Sequence, residues 1–112
     1  MAITSELLGK IGKMDSEPIE GVNSGSSGST KVIRTVEIPE GETWLISVVG
    51  NMNPASTSST LIPALVVGNS ASLVVGDVGL SSVETGQVDI GIKRQYGNRQ
   101  DTFVGELYTM KL

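Results

Sequence analysis

From residue 31 onward the chain keeps returning to a hydrophobic period of two, and that alternation constrains its fold more than any other feature. Val32, Arg34, Val36 and Ile38 alternate with Lys31, Ile33, Thr35 and Glu37, and Val88, Ile90 and Ile92 alternate with Gln87, Asp89, Gly91 and Lys93. Successive side chains of a strand point to opposite faces, so this spacing builds half-buried strands, whereas a helix needs a repeat near 3.6 residues. The residue types agree with the spacing. Thirteen valines and nine isoleucines are stiff at the first side-chain torsion and pack well on a pleated surface. Trp44, Tyr96, Phe103 and Tyr108 are the only aromatic residues, so the core has to be aliphatic. Fourteen glycines and fourteen serines suit short strands joined by many turns.

The pattern predicts strands over residues 31–38, 44–49, 61–67, 72–75, 88–92 and 102–112, about six or seven in all. The turn residues Pro39-Glu40-Gly41-Glu42 separate the first two. The second strand is apolar on both faces, Trp44, Ile46 and Val48 against Leu45, Ser47 and Val49, and reads as central. Residues 51–60, rich in Asn, Ser and Thr, read as a loop, 77–85 as a turn-rich stretch and 94–101 as a polar turn. Pro63 suggests an edge or a bulge. Leu-Val-Val-Gly occurs at 65–68 and again at 73–76, a hairpin-like echo rather than a solenoid repeat. At 112 residues one core is expected. The fold class is mostly β: a single antiparallel β-sandwich or jelly-roll-like domain with a short N-terminal helical or extended arm.

The arm is expected over residues 1–22. Ile3, Leu7, Leu8, Ile11 and Met14 form one stripe on a helix. Gly9 and Gly12 each weaken that helix by up to about 1 kcal/mol relative to alanine, so it needs a surface to lie on. That surface is either its own domain or a neighbour's, and these five residues are the candidate partner-binding set. Residues 23–30, Asn-Ser-Gly-Ser-Ser-Gly-Ser-Thr, have the composition of a flexible linker. The β domain is then expected over 31–112. The start does not read as a secretory signal, and no stretch reaches the roughly 18 apolar residues of a membrane span.

Between Glu42 and Asp77 lie 34 consecutive residues without a charged side chain, seventeen of them hydrophobic. Exposed strands of a monomer use charge to block edge-to-edge pairing. The run is therefore either core plus polar loops or a protein–protein interface, whose centre is depleted in charge.

Chemistry is hard to place on this chain. It has no histidine and no cysteine, which removes the commonest general base, the usual catalytic triads and nearly all zinc sites. Asp77, Glu84, Asp89, Asp101 and Glu106 are the carboxylates available for a glycosidase pair, but Asp89 and Glu106 fall on solvent-facing strand positions and the others in turns. Gly76-Asp77-Val78-Gly79 lacks the spacing and lysine of a phosphate loop, and no EF-hand spacing occurs. The expectation is no enzyme, no cofactor and no metal. Arg94, Tyr96 and Arg99, beside Lys93, form a possible ligand loop, set against the plainer reading of a solvated turn. A net charge of −4 and a pI near 4.6 disfavour nucleic acid and anionic membranes as partners. Trp44 reads as core.

The segment Val36-Glu37-Ile38-Pro39-Glu40-Gly41-Glu42-Thr43-Trp44-Leu45-Ile46-Ser47 resembles small β-sandwich accessory proteins of tailed-bacteriophage particles, in which a strand ends in a Pro-x-Gly turn and the next begins with Thr-aromatic. The opening Met1-Ala2-Ile3-Thr4-Ser5-Glu6-Leu7-Leu8 is also similar to the starts of phage virion components. The resemblance covers about twenty residues and concerns framework, so no site residues transfer with it. It implies a virion protein assembled in the host cytoplasm, of the capsid decoration, cement, tail-fibre or collar type. Such a protein would dock through its arm on major capsid or tail and collar proteins and form a homo-oligomer, a trimer by preference. The alternative is a carbohydrate- or receptor-binding module using loops 51–60 and 94–101.

Overall fold

The computed structural model describes residues 14–26, 28–54, 62–94 and 100–112. Among them are eight strands and no helix: β1 (Asp15–Asn23), β2 (Thr30–Glu37), β3 (Trp44–Pro54), β4 (Ala64–Val67), β5 (Ser70–Leu73), β6 (Gly76–Glu84), β7 (Gln87–Lys93) and β8 (Asp101–Lys111). They form two four-stranded sheets, one in the order β1-β8-β3-β6 and the other β2-β7-β4-β5, with every pairing antiparallel. Only β4 and β5 are consecutive neighbours in one sheet, joined by a two-residue turn at Gly68 and Asn69, where Gly68 takes a φ of 56°. Every other connection passes from one sheet to the other. The inward faces share one core: Ile19, Ile46, Val48, Met52, Val78, Phe103 and Leu107 from the first sheet, and Leu65, Val67, Val88, Ile90 and Ile92 from the second. This is the arrangement of a β-sandwich.

The alternation at Val88, Ile90 and Ile92 is realised as the buried face of β7. The turn after Ile38 closes with Glu42 N–H donating to the Pro39 carbonyl at 3.1 Å, and Gly41 supplies a φ of 81°, the conformation a type II turn requires at that position. Trp44 packs partly buried against the core and donates from Nε1 to Glu42 Oε1 at 3.0 Å.

Several expectations need correction. Residues 15–22, assigned to the arm, are strand β1, fully paired with β8 from Asp15↔Thr109 to Asn23↔Asp101. Its signal was hidden because Pro18, Gly21 and three carboxylates interrupt an alternation in which only Ile19 and Asn23 are buried. Of residues 23–30, read as a linker, Asn23 ends β1 and Thr30 begins β2, and Gly25, Gly28 and Ser29 between them are held by hydrogen bonds to Asn23 and Arg94. Residues 77–85, read as a turn-rich stretch, fall almost wholly in β6 (Gly76–Glu84), where Gly79, Ser81 and Ser82 conceal the period. Asn51–Pro54, read as loop, extends β3. Pro63 is neither at a sheet edge nor in a bulge: it stands just before β4, an interior strand, and its carbonyl accepts from Val74 N–H at 3.0 Å. Ile3, Leu7, Leu8 and Ile11 lie outside the described residues, and Met14 directly precedes β1.

A truncation removing residues 1–22 therefore strips an edge strand and uncovers Phe103 and Leu107. Its melting temperature is expected to fall by more than about 5 °C, read by thermal circular dichroism. A deletion meant to test the arm has to stop before Asp15.

Candidate interaction surface

The charge-free run turns out to supply two interior strands. β3 lies between β8 and β6, and β4 between β7 and β5, so each is covered on both sides by a neighbour and has little use for charge. One face of β3 is nevertheless turned outward, and the register identifies what surrounds it. Across β1, β8, β3 and β6 the outward rows read Ser16, Tyr108, Ser47 and Ser81; then Pro18, Glu106, Val49 and Gly79; then Glu20, Val104, Asn51 and Asp77. A further row holds Met110, which is buried, with Leu45 and Val83, and another Val22, Thr102 and Asn53.

Among the described residues this face carries three carboxylates and no lysine or arginine. Val49, Val83 and Val104 on it are 49, 58 and 55% exposed. Isolated exposed apolar residues are ordinary; Val49 and Val104 adjoin diagonally across β3 and β8, whereas the Ser47 and Ser81 row separates them from Val83. Polar contacts on it are short-range: Ser47 Oγ and Ser81 Oγ lie 2.9 Å apart, and Asn51 Nδ2 donates to Asp77 Oδ1 at 3.3 Å.

The candidate ligand loop fares differently. Tyr96 and Arg99 lie outside the described residues. Arg94 does not face solvent; it is fully buried at the end of the sandwich where β7 stops and β8 starts. Its Nη1 donates to the Gly25 carbonyl at 2.8 Å, and its Nε stands 3.4 Å from Asp101 Oδ2. Its backbone closes the same region: Arg94 N–H donates to Ser29 O at 2.9 Å, and Arg94 O accepts from Gly28 N–H at 3.0 Å. Asn23, also buried, donates from Nδ2 to Ile92 O at 2.7 Å and to Ser29 O at 3.0 Å, while its Oδ1 accepts from Gly25 N–H at 2.9 Å. The supposed linker thus wraps a guanidinium. A solvated turn is the usual fate of basic residues between strands, and only the partners at Gly25 and Asp101 make this burial tolerable.

Asp101, read as a turn residue, is buried as the first residue of β8. Burial pushes its carboxyl above the ordinary value of 3.8, and the Arg94 charge offsets this only in part. The folded state therefore holds this proton more readily than the unfolded chain. The contribution to stability is greatest below pH 3.8 and is lost as pH rises past the folded value. Asp101→Asn is expected to remove that decline: urea titrations from about pH 3 to about pH 7 should show a shallower loss of stability for the variant. Parallel curves would contradict it.

Elsewhere the seam between β1 and β2 holds a groove of about 320 Å³ lined by Asp15, Glu17, Arg34, Glu37 and Leu107. Its one cation, Arg34, pairs with Glu17 at 2.6 Å. Among the described residues no three acidic groups are disposed to hold a metal ion. Asp89 and Glu106 are exposed strand positions, as expected, and Asp89 accepts from Thr35 Oγ1 at 2.9 Å. Comparison of the chain with protein families, with characterised proteins and with solved structures finds no match.

Proposed function

We propose that this chain is a non-enzymatic structural protein of a bacteriophage particle, a capsid decoration or cement protein or a tail or collar fibre component, built as a jelly roll. The observation that carries the reading is the outward face of the β1-β8-β3-β6 sheet, where exposed valines stand among Ser, Thr and Asn and three carboxylates with no basic residue among the described residues. The strand orders β1-β8-β3-β6 and β2-β7-β4-β5 support the fold assignment, since an eight-stranded jelly roll has two such sheets and recurs in viral capsid and lectin domains. The Pro39 to Trp44 turn, the lack of histidine and cysteine, and the apolar stripe Ile3, Leu7, Leu8, Ile11 and Met14 point the same way. The mechanism is additive burial: the sheet face and the stripe cover apolar area on a capsid or tail subunit at about 25 cal/mol per Å², less the cost of association.

Co-sedimentation with separately purified heads and tails tests the proposal. The chain is expected to pellet with one of the two, and a variant lacking residues 1–13 to pellet less. Equal recovery of that variant would remove the stripe from the mechanism.

A second reading, a carbohydrate- or receptor-binding module, draws on one observation. Pro54 pairs with Asp101 and Ala64 with Lys93, so the strand ends flanking residues 55–61 and 95–99 lie at one end of the sandwich. Glycan-array binding that Tyr96→Ala abolishes would favour it over docking.

A further inference from the structure

We infer that β6 is a pairing edge for a second copy of this chain. Among the described residues each four-stranded sheet has two edges, and three of the four are protected in recognisable ways. β1 carries Pro18 with Asp15, Glu17 and Glu20. β2 carries Lys31 and Arg34 and a bulge between Val32 and Arg34. β5 has only four residues. Proline, charge, bulges and shortness are the means by which edge strands avoid pairing with another chain.

β6 has none of them. It runs nine residues in unbroken register with β3, from Gly76↔Met52 to Glu84↔Trp44, and contains no proline, lysine or arginine. Its two charges, Asp77 and Glu84, sit near its ends. The residues around this edge are among the most exposed apolar ones: Leu73 at 62%, Val83 at 58% and Val75 at 51%.

The charge pattern selects a second copy. Antiparallel pairing about a two-fold axis keeps outward residues with outward residues, so the axis must lie midway between the two copies of one β6 residue. Centred on Leu80, it sets Asp77 of each copy opposite Val83 of the other, and Glu84 opposite Gly76. Centred on Gly79 or Ser81, it again sets both acids opposite uncharged residues. None of these three registers brings carboxylate against carboxylate, which directly opposed strands would not tolerate; only a register centred on Asp77 or Glu84 itself, pairing little of the strand, would do so. The paired edges would make one continuous eight-stranded sheet, with main-chain hydrogen bonds as the binding element. This gives a two-fold assembly, unlike the trimer that the resemblance implies.

Light scattering of the full chain over a dilution series tests the inference. The mass at the concentrated end is expected to be twice the 11.7 kDa chain and to fall to one chain on dilution. Ser81→Asp/Val83→Asp, which sets carboxylate opposite carboxylate in each of these three registers, should halve the concentrated mass, whereas Ser16→Asp on the already protected β1 edge should leave it unchanged. In the unmodified protein, amide exchange across residues 76–84 should slow as concentration rises, a readout that needs no variant. A single chain at every concentration, as pairing with a foreign strand alone would give, a three-chain mass, or a folded double variant that stays paired would overturn it. Particle attachment is not measured here, so that failure leaves the docking reading standing.

Discussion

Replacing Arg94 with methionine is expected to destabilise the domain by about 3–5 kcal/mol at neutral pH, because it leaves the Asp101 carboxylate buried without its counter-charge. Methionine keeps much of the volume, so the loss is electrostatic. The Gly25 carbonyl loses its donor at the same time. The effect has a pH signature: without Arg94 the Asp101 carboxyl rises further, so the penalty shrinks on acidification as that group becomes neutral. Denaturant titrations of Arg94→Met near neutral and near acid pH measure both quantities. A loss below about 1 kcal/mol at neutral pH would mean that the guanidinium is not held as described. Arg94→Lys should recover little, since a single ammonium cannot reach Gly25 and Asp101 in the geometry of the planar fork.

The second large effect concerns glycines inside the first sheet. Gly50 and Gly105 face each other across β3 and β8, on the core side. A Cβ on Gly50 would lie 2.6 Å from Gly105 Cα and 2.7 Å from Phe103 Cζ, and would collide with the Val104 carbonyl; one on Gly105 would lie 2.8 Å from both Gly50 Cα and Phe103 Cζ. The missing side chains are what let the Phe103 ring, itself fully buried, lie against the strand backbones. Alanine reduces unfolded-chain entropy, a gain of about 0.4–1 kcal/mol. Against that stands overpacking of about 1–3 kcal/mol or more, and backbone contacts cannot yield as a flexible side chain can. Gly50→Ala and Gly105→Ala are therefore each expected to lower stability by about 2 kcal/mol or more. Gly79→Ala, where the nearest atom is Val49 Cγ2 at 3.9 Å, should be neutral or slightly stabilising. Urea midpoints of the three variants separate the two environments.

Those glycines also explain where sequence reading stops. Val88, Ile90 and Ile92 declare their strand because large apolar and polar residues alternate without interruption. β6 buries its alternation in Gly79, Ser81 and Ser82, and β1 in Pro18 and Gly21, so both resemble turns in one dimension. Gly21 has no side chain because Ile33 of β2 occupies that space, a reason visible only once the sheets are packed. The turn at Pro39 to Glu42 is local and was legible as such. The Arg94 cluster is not local: it joins residues 23–29 to 94 and 101, and nothing in a run of Gly and Ser signals that it will enclose a cation. The outward face of the first sheet lies between these cases. Thr102, Val104, Glu106, Tyr108 and Met110 stand at alternate positions of β8, yet the last strand has apolar residues on both sides. Only the cross-strand register shows which set meets Leu45, Val49 and Val83 on the outside.

If this outward face holds the chain on a larger assembly, as we propose, charges placed on it must weaken attachment. The most direct measurement compares wild type and Val49→Lys/Val104→Lys for co-sedimentation with purified heads and tails. Both positions are about half exposed, so the variant is expected to keep its melting temperature within a few degrees, since surface changes stay within about 0.5 kcal/mol. Attachment is expected to fall at least about tenfold, the equivalent of 1.4 kcal/mol. A folded variant that sediments with particles as well as wild type does would contradict the claim.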